Sequence, residues 1–397
     1  MPRDPARRDA TARSSLAADN RSATSARIPK GIANRLLVRS MLYAQGPASR
    51  IELGKRSGLP LSTLTTVGSA LLRQGVVREA GEAKPSGRGR GRRRSLLEID
   101  RAGLGALSMS YARGTITATI CDILGTIRWT KSWPLAGRAG AQAERALVES
   151  ALTALADSPI PRTRLLGIGV ADPGLIDRRT GRSIRAVEPT GFENVPVVSI
   201  LAEATRMPVF IERADGLEAL GEAMFGAGIG ARGVLFVSAV ANGIGGGLVQ
   251  SGEVVAGRDG AAGEIGHVHV GGDLLCGCGL HGCFEAHASP RRLLERYRAA
   301  GGGRVSDLGG LAREAAAGDV HARSCHHDGA EIIARVLGGA INLLNPDCVV
   351  LGGQFADAGP QLIGRLQVHL ERYALPEMVR GLSLRSATLG DRAVAAG

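Results

Sequence analysis

The sequence lacks any apolar run approaching the roughly 18 residues that a membrane-spanning helix needs, and its first 30 residues hold no apolar signal core. Both absences exclude a membrane-embedded class and lead us to expect a cytoplasmic protein in a reducing compartment. Cysteine is scarce, at six in 397 residues, so the chain is no disulfide-framed scaffold. Residues 101–397 lack net charge, with 29 basic and 29 acidic side chains, whereas residues 1–100 hold 20 basic and 8 acidic ones. The whole excess of +12 therefore lies in the first quarter. A basic module attached to a neutral domain is the charge pattern of a nucleic-acid-binding protein. With 44% hydrophobic residues, the remainder can build a sizeable core.

Half of the cysteines fall in one stretch, Gly263 to Ser289, where Cys276, Cys278 and Cys283 follow His267. Zinc takes four soft or borderline ligands in a tetrahedron, and three thiolates with one imidazole form a closed structural set. Gly277, Gly279 and Gly282 provide the turns that wrap a short chain around one ion. The rival, a disulfide, would be badly strained between Cys276 and Cys278. The expected metal ligands are thus His267, Cys276, Cys278 and Cys283.

In chain order, residues 1–30 are rich in Ala, Arg, Ser and Asp without apolar period, and are expected to be a disordered basic tail. Residues 31–100 read as three helices and a hairpin. One helix ends at Gly46-Pro47, a second covers Arg50 to Ser57 and closes at Gly58, and a third starts at Pro60. In the third, Leu64, Val67, Leu71 and Leu72 line one face, and Ser62, Thr63, Thr65, Thr66, Ser69 and Arg73 the other. Small hydroxyl residues there allow close approach to DNA phosphates and base edges. Two short strands around Val77 and Leu97 flank a tip carrying Arg88, Arg90, Arg92, Arg93 and Arg94. That order is a winged helix-turn-helix, with the third helix expected in the major groove and the arginine wing on phosphates or in the minor groove.

From residue 104 to 397 strands alternate with helices, an α/β pattern. Strands are expected at Thr115–Ile120, Ile127–Trp133, Leu165–Val170, Val234–Val240 and Cys348–Leu351, with helices at Ala141–Leu155 and Gly329–Leu344. Asp172-Pro173-Gly174 and the glycine loop Gly243 to Gly247 follow strands, where such folds bind ligands. Two successive strand-rich halves suggest a duplicated fold with a cleft between lobes.

These residues resemble the ROK family of repressors, open reading frames and sugar kinases. Its GExGH…CxCGxxGCxE hallmark stands here as Gly263-Glu264-Ile265-Gly266-His267 and Cys276 to Glu285, with the intervening loop one residue shorter than is common. The likeness runs over residues 31–397. It implies an actin-like, hexokinase-type ATPase fold of two lobes behind the winged helix-turn-helix. It also implies a sugar site in which Glu264 and Glu285 accept bonds from hydroxyls and His267 helps while ligating zinc.

The same resemblance separates regulator from kinase. The family's Asp-x-Gly-Gly-Thr phosphate loop corresponds to Ser110 through Gly114, with serine in place of the acid. Its Glu-Asn-Asp-x-Asn base motif, anchored on Leu220-Gly221-Glu222, corresponds to Glu212 through Gly216. Ala214 stands at the base position and Arg213 before it; Asp215, one residue on, is expected to point to the other face of a strand end. Phosphoryl transfer needs a carboxylate to accept the sugar proton, so no kinase activity is expected. Arg213 either reads a phosphate or carboxylate on the effector, or bridges a nearby acid and fills the pocket. The resulting expectation is a zinc-containing regulator, a repressor of carbohydrate genes, that binds a double-stranded DNA operator as a homodimer or dimer of dimers. Its effector is a sugar or sugar phosphate. A hexose kinase, and a DNA-binding protein without effector, are the competing classes.

Overall fold

The computed structural model describes residues 30–83, 94–100, 103–112, 114–135, 137–185 and 192–397. The expected tail, apart from Lys30, and the wing arginines Arg88, Arg90, Arg92 and Arg93 lie outside them. The chain divides into two compact units, 1–100 and 101–397.

In the first unit, helix Lys30–Gln45 is followed by β1 (Ala48–Ser49), helices Arg50–Ser57 and Leu61–Arg73, and strands β2 (Val77–Ala83) and β3 (Arg94–Ile99). Ser49 opens the second helix with a capping box: its hydroxyl accepts from Glu52 N, and Glu52 accepts from Ser49 N at 2.8 Å. Gly58, at φ 71°, closes it in the left-handed region. The third helix buries Leu64, Val67 and Leu71 as its period requires, against Val38, Leu42, Leu53 and Leu97. β3 pairs with both β1 and β2, giving a three-stranded antiparallel sheet of order β1-β3-β2.

The second unit carries one strand pattern twice. Its first half runs β4 (Gly105–Ala112), β5 (Thr115–Asp122), β6 (Ile127–Pro134), helix Ala141–Ala156, and β7 (Leu165–Asp172). A side sheet of β8 (Leu175–Asp177), β9 (Arg182–Arg185) and β10 (Glu193–Val195) precedes helix Val197–Thr205 and β11 (Val209–Arg213). The order β11-β7-β4-β5-β6 combines an antiparallel meander, β4 to β6, with two strands added parallel to β4. The second half repeats it with β12 (Gly233–Val240), β13 (Gly243–Gln250), β14 (Glu253–Val254), β15 (Cys348–Gly353) and β16 (Ser383–Ser386), in the order β14-β13-β12-β15-β16. The central strands β12 and β15 read as continuous apolar runs because helices cover both of their faces. Helix Val320–Leu344 begins nine residues earlier than its pattern suggested. Asp319 caps it through Ala322 N at 2.6 Å, and Gly329 sits inside it because a Cβ there would lie 3.1 Å from Leu293.

Candidate functional site

On helix Leu61–Arg73, Ser62, Thr65, Thr66 and Arg73 are exposed and Thr63 is half-buried. Thr65 and Thr66 donate their hydroxyls to Leu61 O and Ser62 O one turn back, at 2.9 and 3.1 Å. Their methyl groups and remaining oxygen lone pairs are thereby held in fixed directions on the outer face. Arg78, which sits on the strand rather than the tip, pairs with Glu98 across the hairpin at 2.6 Å.

The hallmark stretch folds as a knuckle. Short bridges pair His269 with Cys283 and Leu275 with His281, and Cys276 N donates to Leu280 O at 2.8 Å, closing a tight turn. This brings the one usable donor atom of each of His267, Cys276, Cys278 and Cys283 within 4.8 Å of all the others. Cys276 Sγ lies 3.7 Å from His267 Nδ1, and Cys278 Sγ lies 3.7 Å from Cys283 Sγ. With zinc–sulfur bonds of about 2.3 Å, the edge of a regular tetrahedron is about 3.8 Å, so the residues fit the ion. Imidazole Nε2, on the far side of the ring, faces Glu264 Oε2 at 3.7 Å, where a carboxylate could orient a histidine that holds a metal. Burial pushes the thiols of Cys276, to about 12, and of Cys283 up.

Above the knuckle lies the end of β11, where the strand passes directly into helix Ala214–Phe225. The side chain of Arg213 is only 7% exposed. Its Nη1 donates to Ala262 O at 2.8 Å, and its Nη2 reaches Glu264 Oε1 at 2.6 Å and Asp215 Oδ2 at 3.3 Å. Of the two roles open to Arg213, the structure displays the second, a bridge to nearby acids. Asp215 departs from expectation. The strand ends at Arg213, so Asp215 lies in the first helical turn and its carboxylate enters the same site instead of the opposite face. Burial, opposed in part by Arg213 and reinforced by Glu264, pushes its carboxyl up to about 6. Ala214 carries no functional group.

The structure thus brings Arg213, Glu264 and His267 together. Glu285 stands behind Cys276, with Oε2 accepting from Ile244 N at 3.0 Å and Oε1 at 3.4 Å from Cys276 Sγ. Beside Arg213, on the neighbouring strand β7, Asp172 is fully buried and accepts from Tyr111 Oη and from Gly174 N at 2.7 Å; burial raises its carboxyl, and the Tyr111 hydrogen bond is the first of several contacts that oppose the rise. Neither Asp215 nor the Tyr111–Asp172 pair was singled out as a site residue. The acid at the Asp-Pro-Gly turn was the one available signal. The glycines of β13 have a packing role here: a Cβ on Gly245 would sit 2.4 Å from Asp215 Oδ1, and one on Gly247 2.6 Å from Asp215 O.

The ROK family profile matches residues 113–397. A glucokinase of Halalkalibacterium halodurans is 35% identical over 58% of this chain and 74% of its own. The xylose repressor of Bacillus spizizenii is 24% identical over 93% of this chain and 94% of its own. Among solved structures, a ROK family transcriptional regulator homologous to the E. coli MLC protein superposes with a TM-score of 0.79 at 24% identity. It covers 93% of this chain and 94% of that one. The duplicated sheets, the knuckle and the profile agree: the chain belongs to the ROK family.

Proposed function

We propose that the protein is a sugar-responsive, DNA-binding transcriptional regulator, a repressor of carbohydrate-metabolism genes. The observation that carries this reading is the joining of a basic three-helix-and-hairpin unit to a ROK domain in one chain. The xylose repressor matches along 93% of that chain, whereas the glucokinase match spans only 58% of it. The first unit has the element order of a winged helix-turn-helix. In this reading helix Leu61–Arg73 enters the major groove with Ser62, Thr63, Thr65, Thr66 and Arg73 toward the bases. Arg88, Arg90, Arg92 and Arg93 neutralise phosphates. A homodimer, or dimer of dimers, on a palindromic operator supplies the two-fold symmetry. A cytoplasmic location follows from the role, and among the described residues no helix is long and apolar enough to cross a membrane.

In the second unit, zinc held by His267, Cys276, Cys278 and Cys283 acts as a structural clamp. All four tetrahedral positions are taken by protein, which leaves none open for chemistry. The clamp fixes the loop that carries Glu264, His267 and Glu285, whose oxygens and imidazole suit a polyol. Titrating the protein against DNA upstream of its own gene, with and without sugars, tests the reading. Specific binding released by a sugar is the expected result; binding that no saccharide changes would leave a DNA-binding protein without effector. The second reading, a hexose kinase, is favoured by the glucokinase likeness and by the carboxylate of Asp215 in the site. A coupled assay with Mg-ATP and common hexoses should show no turnover above background, since Asp215 is bound to Arg213 and Ala214 stands at the base position.

A further inference from the structure

We propose that Arg213 is a built-in occupant of the saccharide site, and that this site takes uncharged sugars, in competition with its own guanidinium, and not sugar phosphates. The inference rests on the reading above that Glu264, His267 and Glu285 face the effector. A sugar binds a carboxylate by donating hydroxyl hydrogens to its lone pairs. Here the strongest of those contacts are already made inside the protein. One oxygen of Glu264 accepts from Arg213 Nη2 at 2.6 Å and the other faces His267 Nε2 at 3.7 Å. One oxygen of Glu285 accepts from Ile244 N, and Asp215 accepts from the same Nη2 at 3.3 Å. A hydroxyl is a weaker donor to a carboxylate than a guanidinium is, so a sugar gains Oε1 of Glu264, and with it both oxygens at once, only when Arg213 gives that oxygen up.

Arg213 has no easy retreat, being nearly buried and tied to Ala262 O as well. Asp215 is hemmed on one side, where its carboxylate lies beside Gly245 with no room for a Cβ between them. The charges around the guanidinium also decide the ligand class. Its positive charge is met by two carboxylates, Asp215 and Glu264, and Glu285 stands nearby. A phosphate entering the site therefore meets acids rather than a free cation, and like charges brought together are repelled.

Calorimetric titration of the full-length, metal-loaded protein with glucose, xylose and glucose 6-phosphate tests this. The wild type is compared with Arg213→Asn, and with Arg213→Lys, which keeps the charge but loses the fork. The expected result is weak but measurable binding of a neutral sugar to the wild type and none of glucose 6-phosphate. Arg213→Asn should gain affinity for a neutral sugar by about tenfold or more, the scale of one charge-assisted bond, with Arg213→Lys between. Tighter binding of glucose 6-phosphate than of glucose to the wild type would overturn the proposal without recourse to any variant. Equal sugar affinity in all three proteins would overturn the competition while leaving the sugar site standing. No sugar binding to any of them, at full zinc content and unchanged melting temperature, would sink the sugar reading itself.

Discussion

Glu222 offers a quantitative test of how the second half of the large unit is held together. Its side chain is fully buried in helix Ala214–Phe225, the helix that presents Asp215 at its other end. Oε1 accepts from Thr388 N at 2.9 Å and from Leu389 N at 2.7 Å; Oε2 accepts from Ala227 N at 2.7 Å and from Thr388 Oγ1 at 3.3 Å. Glu222→Gln keeps the shape but replaces one acceptor by an amide donor. The amide must choose the Oε2 side, since Thr388 can rotate its hydroxyl to accept whereas the two backbone N–H groups at Oε1 cannot. Ala227 N–H is then left facing a donor, at a cost of about 1–3 kcal/mol. The two bonds at Oε1 lose their charge assistance, roughly another 1 kcal/mol together. The expected loss is about 2–4 kcal/mol, or a melting temperature lower by about 3–6 °C for a unit of this size. Trp129 and Trp133, the two tryptophans of the chain, both lie in this unit, so tryptophan fluorescence during guanidinium unfolding reports its transition. Zinc content should be unchanged. A loss below about 0.5 kcal/mol would refute the reasoning, because it would mean that the four bonds are neither buried nor needed.

Replacing Cys278 by Ser removes one corner of the knuckle and should release zinc, measured by metal analysis, and unfold the loop from Gly263 to Ser289; full metal retention would sink the ligand assignment. For Asp215, whose folded carboxyl is pushed up to about 6 from its ordinary 3.8, the folded state binds more protons than the unfolded one between those values. Stability therefore falls as pH rises from about 4 to about 6 and is level above. Asp215→Asn should show a flatter profile than the wild type across that window in matched denaturation curves, and identical slopes would remove the basis for the raised carboxyl. Operator affinity should fall steeply with salt, in proportion to the phosphates neutralised, and replacing Arg90, Arg92 and Arg93 by Ala should reduce the slope in binding titrations. An unchanged slope would take the wing off the DNA.

What could be read in the sequence was local. The Cys-Gly-Cys spacing, the Gly58 terminator and the leucine period of helix Leu61–Arg73 act over a turn or two, and the structure keeps them in place. The partners of Arg213 were not legible, because Ala262 and Glu264 come from a loop some fifty residues on that only the fold brings back. Asp215 was misplaced for a related reason. Alternation along an extended strand puts it on the far face, but the chain turns helical at Ala214, and a helix N-terminus aims its first side chains along the strand's exit. Gly329 misled for the opposite reason: its poor helix propensity is overridden by the close approach of Leu293.

The glycine loop of β13 shows how a motif can persist without the chemistry that its name suggests. Gly245 and Gly247 lie against Asp215 and Ala219 of the helix that follows β11, and Gly246 against Ile265 and the Gly263 carbonyl. A Cβ at any of these three positions would fall within 3.1 Å of those atoms, so the second sheet meets the helix and the hallmark loop most closely through bare backbone. That constraint is independent of nucleotide. Leu220-Gly221-Glu222 behaves in the same way: a Cβ on Gly221 would lie 2.2 Å from Ala393 O, and Glu222 ties down Thr388 and Leu389. Both motifs are therefore held by packing, whatever the site binds: neither Gly247 nor Gly221 could carry a side chain without displacing backbone atoms.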